Sequence, residues 1–319
     1  MAEATQSAPL TNRQLAMRSL KRRLRLDWQL YLIILLPLIW LIVFCYVPMY
    51  GVQIAFKKFQ SSKGIFGSPW IGFENFTRFF NSYNFTKIIW NTISVSIYSL
   101  IAGFPFPIIL AMLLNNCVYK TYKKIVQMVT YLPYFISTVV LVGMLVQFLS
   151  PRVGIINKIL GIFGVPATDF MAMPSAFRHI YVWSGVWQGT GFGCVIYLAA
   201  LAGIDPGLHE AAMIDGASRL QRMWHIDVPG ILPTATILLI MNTGNVMNVG
   251  FEKAYLMQNT LNMDASEVIS TYVYKVGLAS AAADFSYSTA IGLFNSVINL
   301  VMISTVNAIS NKLSDTSIW

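Results

Sequence analysis

The chain has 319 residues, of which 56% are hydrophobic and only 11% charged, with 22 Lys and Arg against 13 Asp and Glu for a formal net charge of +9. A soluble domain carries about a quarter charged residues and lacks long apolar runs, so a soluble enzyme is excluded. Intrinsic disorder is excluded too, because so apolar a chain buries far more than folding entropy demands.

The first 28 residues hold Arg13, Arg18, Lys21, Arg22, Arg23 and Arg25 ahead of an apolar run. That run is too long for a signal peptide and no A-x-A site follows it, so it reads as an uncleaved anchor behind a basic cytoplasmic segment. Six stretches are long and apolar enough to cross about 30 Å of hydrocarbon. They lie near 29–49, 88–114, 125–149, 179–203, 231–250 and 286–309. The expected fold is thus an all-α membrane protein with a six-helix domain over 29–309 and a short cytoplasmic tail over 310–319. Lys and Arg gather on the cytoplasmic side of such proteins. Twelve of the 22 basic residues fall inside if both termini are cytoplasmic, on the shorter loops and tails, and ten fall outside on longer ones. Their place is topological, so nucleic acid is not an expected partner; the lipid bilayer is.

Gly and Pro punctuate the spans. Gly103-Phe104-Pro105-Phe106-Pro107 must bend the second, as a gate, around a cavity or simply to pack, since each Pro removes a backbone donor. Gly185, Gly189 and Gly193 put three bare patches on one face of the fourth and predict close helix contact. Loops 51–87, rich in Trp and Phe, and 251–285, with Glu252, Asp264, Glu267 and Asp284, read as docking surfaces for an extracytoplasmic partner or as interfacial segments. Cys45, Cys117 and Cys194 lie in or beside apolar runs without metal or redox spacing and read as small buried hydrophobes.

Polar residues within the spans mark either a pathway or interhelical glue. Asn242, Asn245 and Asn248 repeat every three residues and fall within an arc of about 120° on an α-helix. Asn295 and Asn299 share a face of the sixth span, and Gln188 sits beside Trp187 in the fourth. Amides exchange hydrogen bonds with hydroxyls, and rings pack on the apolar face of a pyranose, so this lining suits a sugar.

Between spans four and five runs Asp205-Pro-Gly-Leu-His-Glu210-Ala211-Ala212-Met-Ile-Asp215-Gly216, then Ile226-Asp227-Val228-Pro229. Asp205 is a plausible N-cap, Pro206 suits a first helical position and Gly216 suits a helix end, so a helix of about ten residues is expected, followed by a second, amphipathic one. Glu-Ala-Ala, three residues, Gly, nine residues, then Ile-x-x-Pro resembles the EAA loop of binding-protein-dependent ABC importer permeases, with Val228 where that pattern has Leu. Pro48-Met49-Tyr50-Gly51, Gly72-Phe73-Glu74-Asn75-Phe76, Ser266-Glu267-Val268-Ile269 and the terminal Trp319 are similar to the LplB-type branch, associated with oligosaccharides from polysaccharide breakdown, including alginate and rhamnogalacturonan fragments.

The resemblance implies a type I importer permease fold. It implies a second homologous permease, a cytoplasmic ABC ATPase dimer docked on loop 205–230, an extracytoplasmic sugar-binding protein, and the bacterial cytoplasmic membrane. On that reading Glu210, Ala211, Ala212, Asp215, Gly216, Ile226 and Pro229 couple the ATPase to the spans. The chain itself needs no cofactor, since ATP and Mg belong to the ATPase. A P-loop requires Gly-Lys, which occurs nowhere in the chain, and His209-Glu210-Ala-Ala-Met213 lacks the last ligand of a His-Glu-x-x-His zinc site. The remaining alternative is an ion-coupled secondary transporter or channel. It is disfavoured because no span core carries Asp, Glu, Lys or Arg to serve as an ion relay.

Overall fold

The computed structural model describes residues 26–313 and is helical throughout, with one isolated bridge between Lys57 and Trp70. The basic segment up to Arg25 and the last residues, with Trp319, lie outside the described residues. Among the described residues five helical runs are long and apolar enough to span a membrane. They are α1 (Trp28–Phe56), α2 (Phe85–Asn115), α5 (Pro174–Ala202), α7 (Arg219–Thr243) and α8, which runs Phe285–Leu313.

The third predicted span is not one helix. α3 (Lys120–Phe135) and α4 (Thr138–Leu149) meet at 99°. Pro133 sits where the helix tightens to a 3-10 turn, Ile136 is extended, and Ser137 restarts the chain by accepting from the Val140 N–H. A residue without a donor followed by a good N-cap is a local instruction to stop and turn. The carbonyl freed at Ile136 accepts from Gln188 Nε2 at 2.8 Å.

The fifth span also departs from expectation. It ends at Thr243 rather than near 250, and it begins at Arg219, because the amphipathic segment of the EAA loop runs through a π-turn (Met223–Asp227) straight into the apolar helix. Between α5 and α7 lies α6 (Pro206–Ile214), capped by Asp205, whose side chain accepts from Gly207 N–H at 2.9 Å. Gly216 then takes φ +79°, a value only glycine adopts cheaply. Ser218 and Gln221 close a reciprocal capping box that starts α7.

Helix α5 is the axle of the bundle and packs along α2 and α7. Ala111, Leu114, Cys194, Tyr197, Leu201, Ile231 and Ala235 form a core toward the end carrying the EAA loop. At the opposite end a second cluster joins Val95, Val142 and Phe177 to Met257 and Val268. A third seats α8 and Phe79 on α2 through Ile88, Tyr287 and Ile291. The glycine stripe works differently from its spacing. The tight crossing is at Gly191, where a Cβ would overlap the Thr130 backbone, whereas Gly189 faces open space and Gly193 only touches Pro107. Of the cysteines Cys194 is buried, but Cys45 is exposed on α1, which buries no residue in its apolar window against the rest of the chain.

Candidate functional site: the EAA loop and the central cavity

A cavity of about 430 Å³ opens between α2, α5 and the far end of α7. The bent segment of α2 supplies Gly103, Phe104 and Pro107, so the Gly-Pro run borders this space, with Ser99 and Ser96 about one and two turns away. Tyr181 and Tyr197 enter from α5. Asn242, Asn245 and Asn248 all line it, although only the first is in helix: Asn245 N–H bonds the Asn242 carbonyl at 3.1 Å and Asn248 N–H the Asn245 carbonyl at 2.8 Å. Turns of three residues stack side chains three apart on one side, so the spacing aligns these amides more closely than an α-helix would.

The three amides are not equivalent. Asn248 Oδ1 accepts from Asn295 Nδ2 at 2.9 Å and from Asn299 Nδ2 at 3.2 Å, which uses both lone pairs. Asn299 Oδ1 accepts in turn from Met247 N–H at 3.1 Å. Asn295 and Asn299 therefore tie α8 to the unwound end of α7. Asn245 Nδ2 donates to the Met241 carbonyl at 3.3 Å. Among the described residues the Asn242 amide has no partner, so its donors and acceptor are open to the cavity. Gln188 and Trp187 do not reach this space. Gln188 holds the α3–α4 break, and Trp187 lines an apolar cleft with Leu141, Met144 and Phe148. Sequence alone does not single out these serines and tyrosines, because their spans read as uniformly apolar packing.

Just beyond the cavity, Lys253 lies past the end of α7 and buries its ammonium. Nζ donates to the Tyr181 carbonyl at 2.8 Å and sits 4.6 Å from the Tyr181 ring centroid. Burial lowers its pKa to about 8. Buried Glu267 is held by the exposed Lys275 at 3.1 Å, and Arg78 by Asp284 at 2.6 Å.

At the other end of the bundle the EAA residues form a projecting unit. Glu210, Ala211, Asp215, Gly216 and Pro229 are exposed, and Ala212 and Ile226 half-buried. A cleft of about 300 Å³ between α6 and the start of α7 is lined by Ala212, Asp215, Gly216, Arg222 and Ile226. Leu208, Met213, Ile214 and Trp224 are all more than half exposed around it, Ile214 at 87%. An apolar, charge-rimmed surface on a short helix outside the bundle is built to be covered by another protein. Asp227, an unassigned position within the sequence pattern, is fully buried and receives Asn116 Nδ2 at 3.1 Å. The sole sequence signal for it is an acidic residue opening an apolar span.

The geometry matches known proteins closely. Residues 103–315 fit the family of binding-protein-dependent transport system inner membrane components. The chain belongs to that family. It is a multi-pass permease subunit of an ABC importer rather than an enzyme. The permease is 38% identical to Protein LplB of Bacillus subtilis (strain 168) over 95% of this chain and 93% of that one. It is 39% identical to the polygalacturonan/rhamnogalacturonan transport system permease protein YteP of the same organism, over 91% and 90%. Its fold superposes with a TM-score of 0.85 on a chain of a bacterial ABC transporter involved in import of the acidic polysaccharide alginate. That chain is 40% identical, with 93% of this permease and 99% of the other covered. A second structure of the alginate transporter, bound to a periplasmic protein carrying an alginate pentasaccharide, gives the same TM-score at 39% identity.

Proposed function

We propose that this permease is one of two related membrane subunits of an importer for acidic oligosaccharides released from polysaccharides, delivered by an extracytoplasmic sugar-binding protein. The observation that carries this reading is the likeness to the alginate importer, sustained at 40% identity along 93% of the chain, together with a cavity faced by amides, serines and tyrosines. Hydroxyl-rich ligands exchange hydrogen bonds with such groups, and the tyrosine rings offer faces for sugar C–H surfaces.

Power comes from elsewhere. ATP and Mg are used by a cytoplasmic ABC ATPase dimer, on which Glu210, Ala211, Ala212, Asp215, Gly216, Ile226 and Pro229 dock as the coupling unit. Both termini are cytoplasmic, and the subunit sits in the bacterial cytoplasmic membrane. Closure of the ATPase dimer displaces α6 and opens the cavity outward; hydrolysis returns it. Asn242 and Asn245 contact the sugar in passage, while Asn248, Asn295 and Asn299 hold the wall.

Glu210→Lys reverses the charge of the docking rim, and Gly216→Pro forces φ near −65° where +79° is needed. Both changes are expected to abolish ATP-driven uptake in membrane vesicles. Uptake at the unaltered rate in both would rule out the coupling role of this loop.

A further inference from the structure

Three residues from three elements meet beneath α6. Asp227, fully buried where α7 leaves its π-turn, presents Oδ2 to Asn116 Nδ2 at 3.1 Å. Its Oδ1 faces His209 Nε2 of α6 at 3.3 Å, out of line for a hydrogen bond, and has no hydrogen-bond partner among the described residues. Asn116 follows the last residue of α2 and also donates to the Met112 carbonyl at 3.0 Å, so the amide clamps that helix end while it holds the carboxylate.

We propose that His209, Asp227 and Asn116 form the latch through which movement of α6 reaches the two helices that wall the cavity. The inference rests on the coupling role of the loop and adds the route. Backbone alone joins α6 to its neighbours through the turns Gly203–Asp205 and Asp215–Ser218, and Gly216 makes the second a hinge. A pull on α6 would be absorbed there unless side chains bridged it. Parting His209 from Asp227 leaves Oδ1 of a fully buried carboxylate with no polar neighbour, and removing one partner of a buried pair is among the costlier changes a protein suffers. The latch therefore resists extension and moves as a body. Its two other members stand at the end of α2, which carries Ser96, Ser99 and Phe104, and about a third of the way along α7, which carries Asn242; all four of these line the cavity. Ile204 adds a steric stop, since a Cβ on Gly230 would overlap its side chain. His209, Asp227 and Asn116 are positioning residues: none touches substrate or nucleotide.

The test uses the assembled importer in nanodiscs, with Cys45, Cys117 and Cys194 replaced by Ala and a bimane fluorophore on Ser99→Cys, a cavity-wall position. MgATP with vanadate is the trigger, and the readouts are the bimane emission shift and the amount of ATPase retained. The latch predicts that Asp227→Asn and His209→Leu each lose the shift while the ATPase stays bound, and that His209→Lys, which returns a polar donor to Oδ1, restores it. The double variant should be no worse than either single one, because both break one link. Should Asp227→Asn fail to assemble, the His209 pair decides, since that residue lies on a projecting helix. A shift that persists in His209→Leu with the ATPase bound overturns the latch. Glu210→Lys separates the two levels: if it retains both the ATPase and the shift, or if the unaltered chain shows no shift, the coupling role itself fails.

Discussion

Asn242 and Asn248 are six residues apart and face one cavity, yet their partners assign them opposite duties. The Asn242 amide has no partner among the described residues, whereas Asn248 Oδ1 serves Asn295 and Asn299 together. Asn242→Leu is therefore expected to lower uptake with little change in melting temperature. Asn248→Leu strands two donors and should cost about 1–3 kcal/mol of stability, read as a lower melting temperature in detergent. Equal thermal effects of the two would contradict the division. Lys253 gives a residue-scale prediction of a different kind. Burial lowers its pKa from 10.5 to about 8. Between these values the unfolded chain keeps a proton that the folded chain has shed, so stability rises with pH across that window, by about 3 kcal/mol at most. Lys253→Met should flatten this part of the melting-temperature profile; an unchanged slope would show that the ammonium is not desolvated.

At the scale of elements, the points where helices break or touch carry the architecture. Gly191 lies against the Thr130 backbone, and Gly191→Ala is expected to force α5 away from the break between α3 and α4. Overpacking against backbone costs about 1–3 kcal/mol, so the yield of folded protein should fall, while Gly189→Ala, facing open space, should be silent. The stripe of glycines was visible in the sequence, but which glycine is in contact depends on how α5 is rotated against α3, and that is a tertiary fact. The span ends divide the same way. Five spans were legible from apolar length alone, because nothing else satisfies a backbone in hydrocarbon. The 99° break was not, since Leu132-Pro133-Tyr134-Phe135-Ile136 is as apolar as its neighbours and only Pro133 and Ser137 hint at a turn. The early end of α7 at Thr243 was hidden too, because the unwound turn keeps its apolar neighbours Val246, Met247 and Val249 buried. The EAA loop was readable down to its cap and its glycine, since caps and left-handed turns depend on residue type. Asp227, His209 and Asn116 were not, for they lie 18 and 93 or more residues apart along the chain and meet only in the fold.

Among the described residues the two ends of the molecule differ in chemistry: a projecting apolar and acidic unit at one and a polar cavity toward the other. α1 buries none of its apolar window against this chain, as suits a helix that meets lipid and a partner permease. The central claim is that the pathway is opened by an external ATPase and loaded by a binding protein. It is tested most directly by purifying the tagged permease with its co-expressed partners in nanodiscs and assaying ATP hydrolysis with binding protein that is empty, loaded with an alginate oligosaccharide, or loaded with a neutral one of equal length. Recovery of a second permease and an ATPase, with hydrolysis stimulated by the acidic complex and not by the empty protein, is the predicted result. Recovery of the permease alone, moving solute on an ion gradient without ATP, would contradict it.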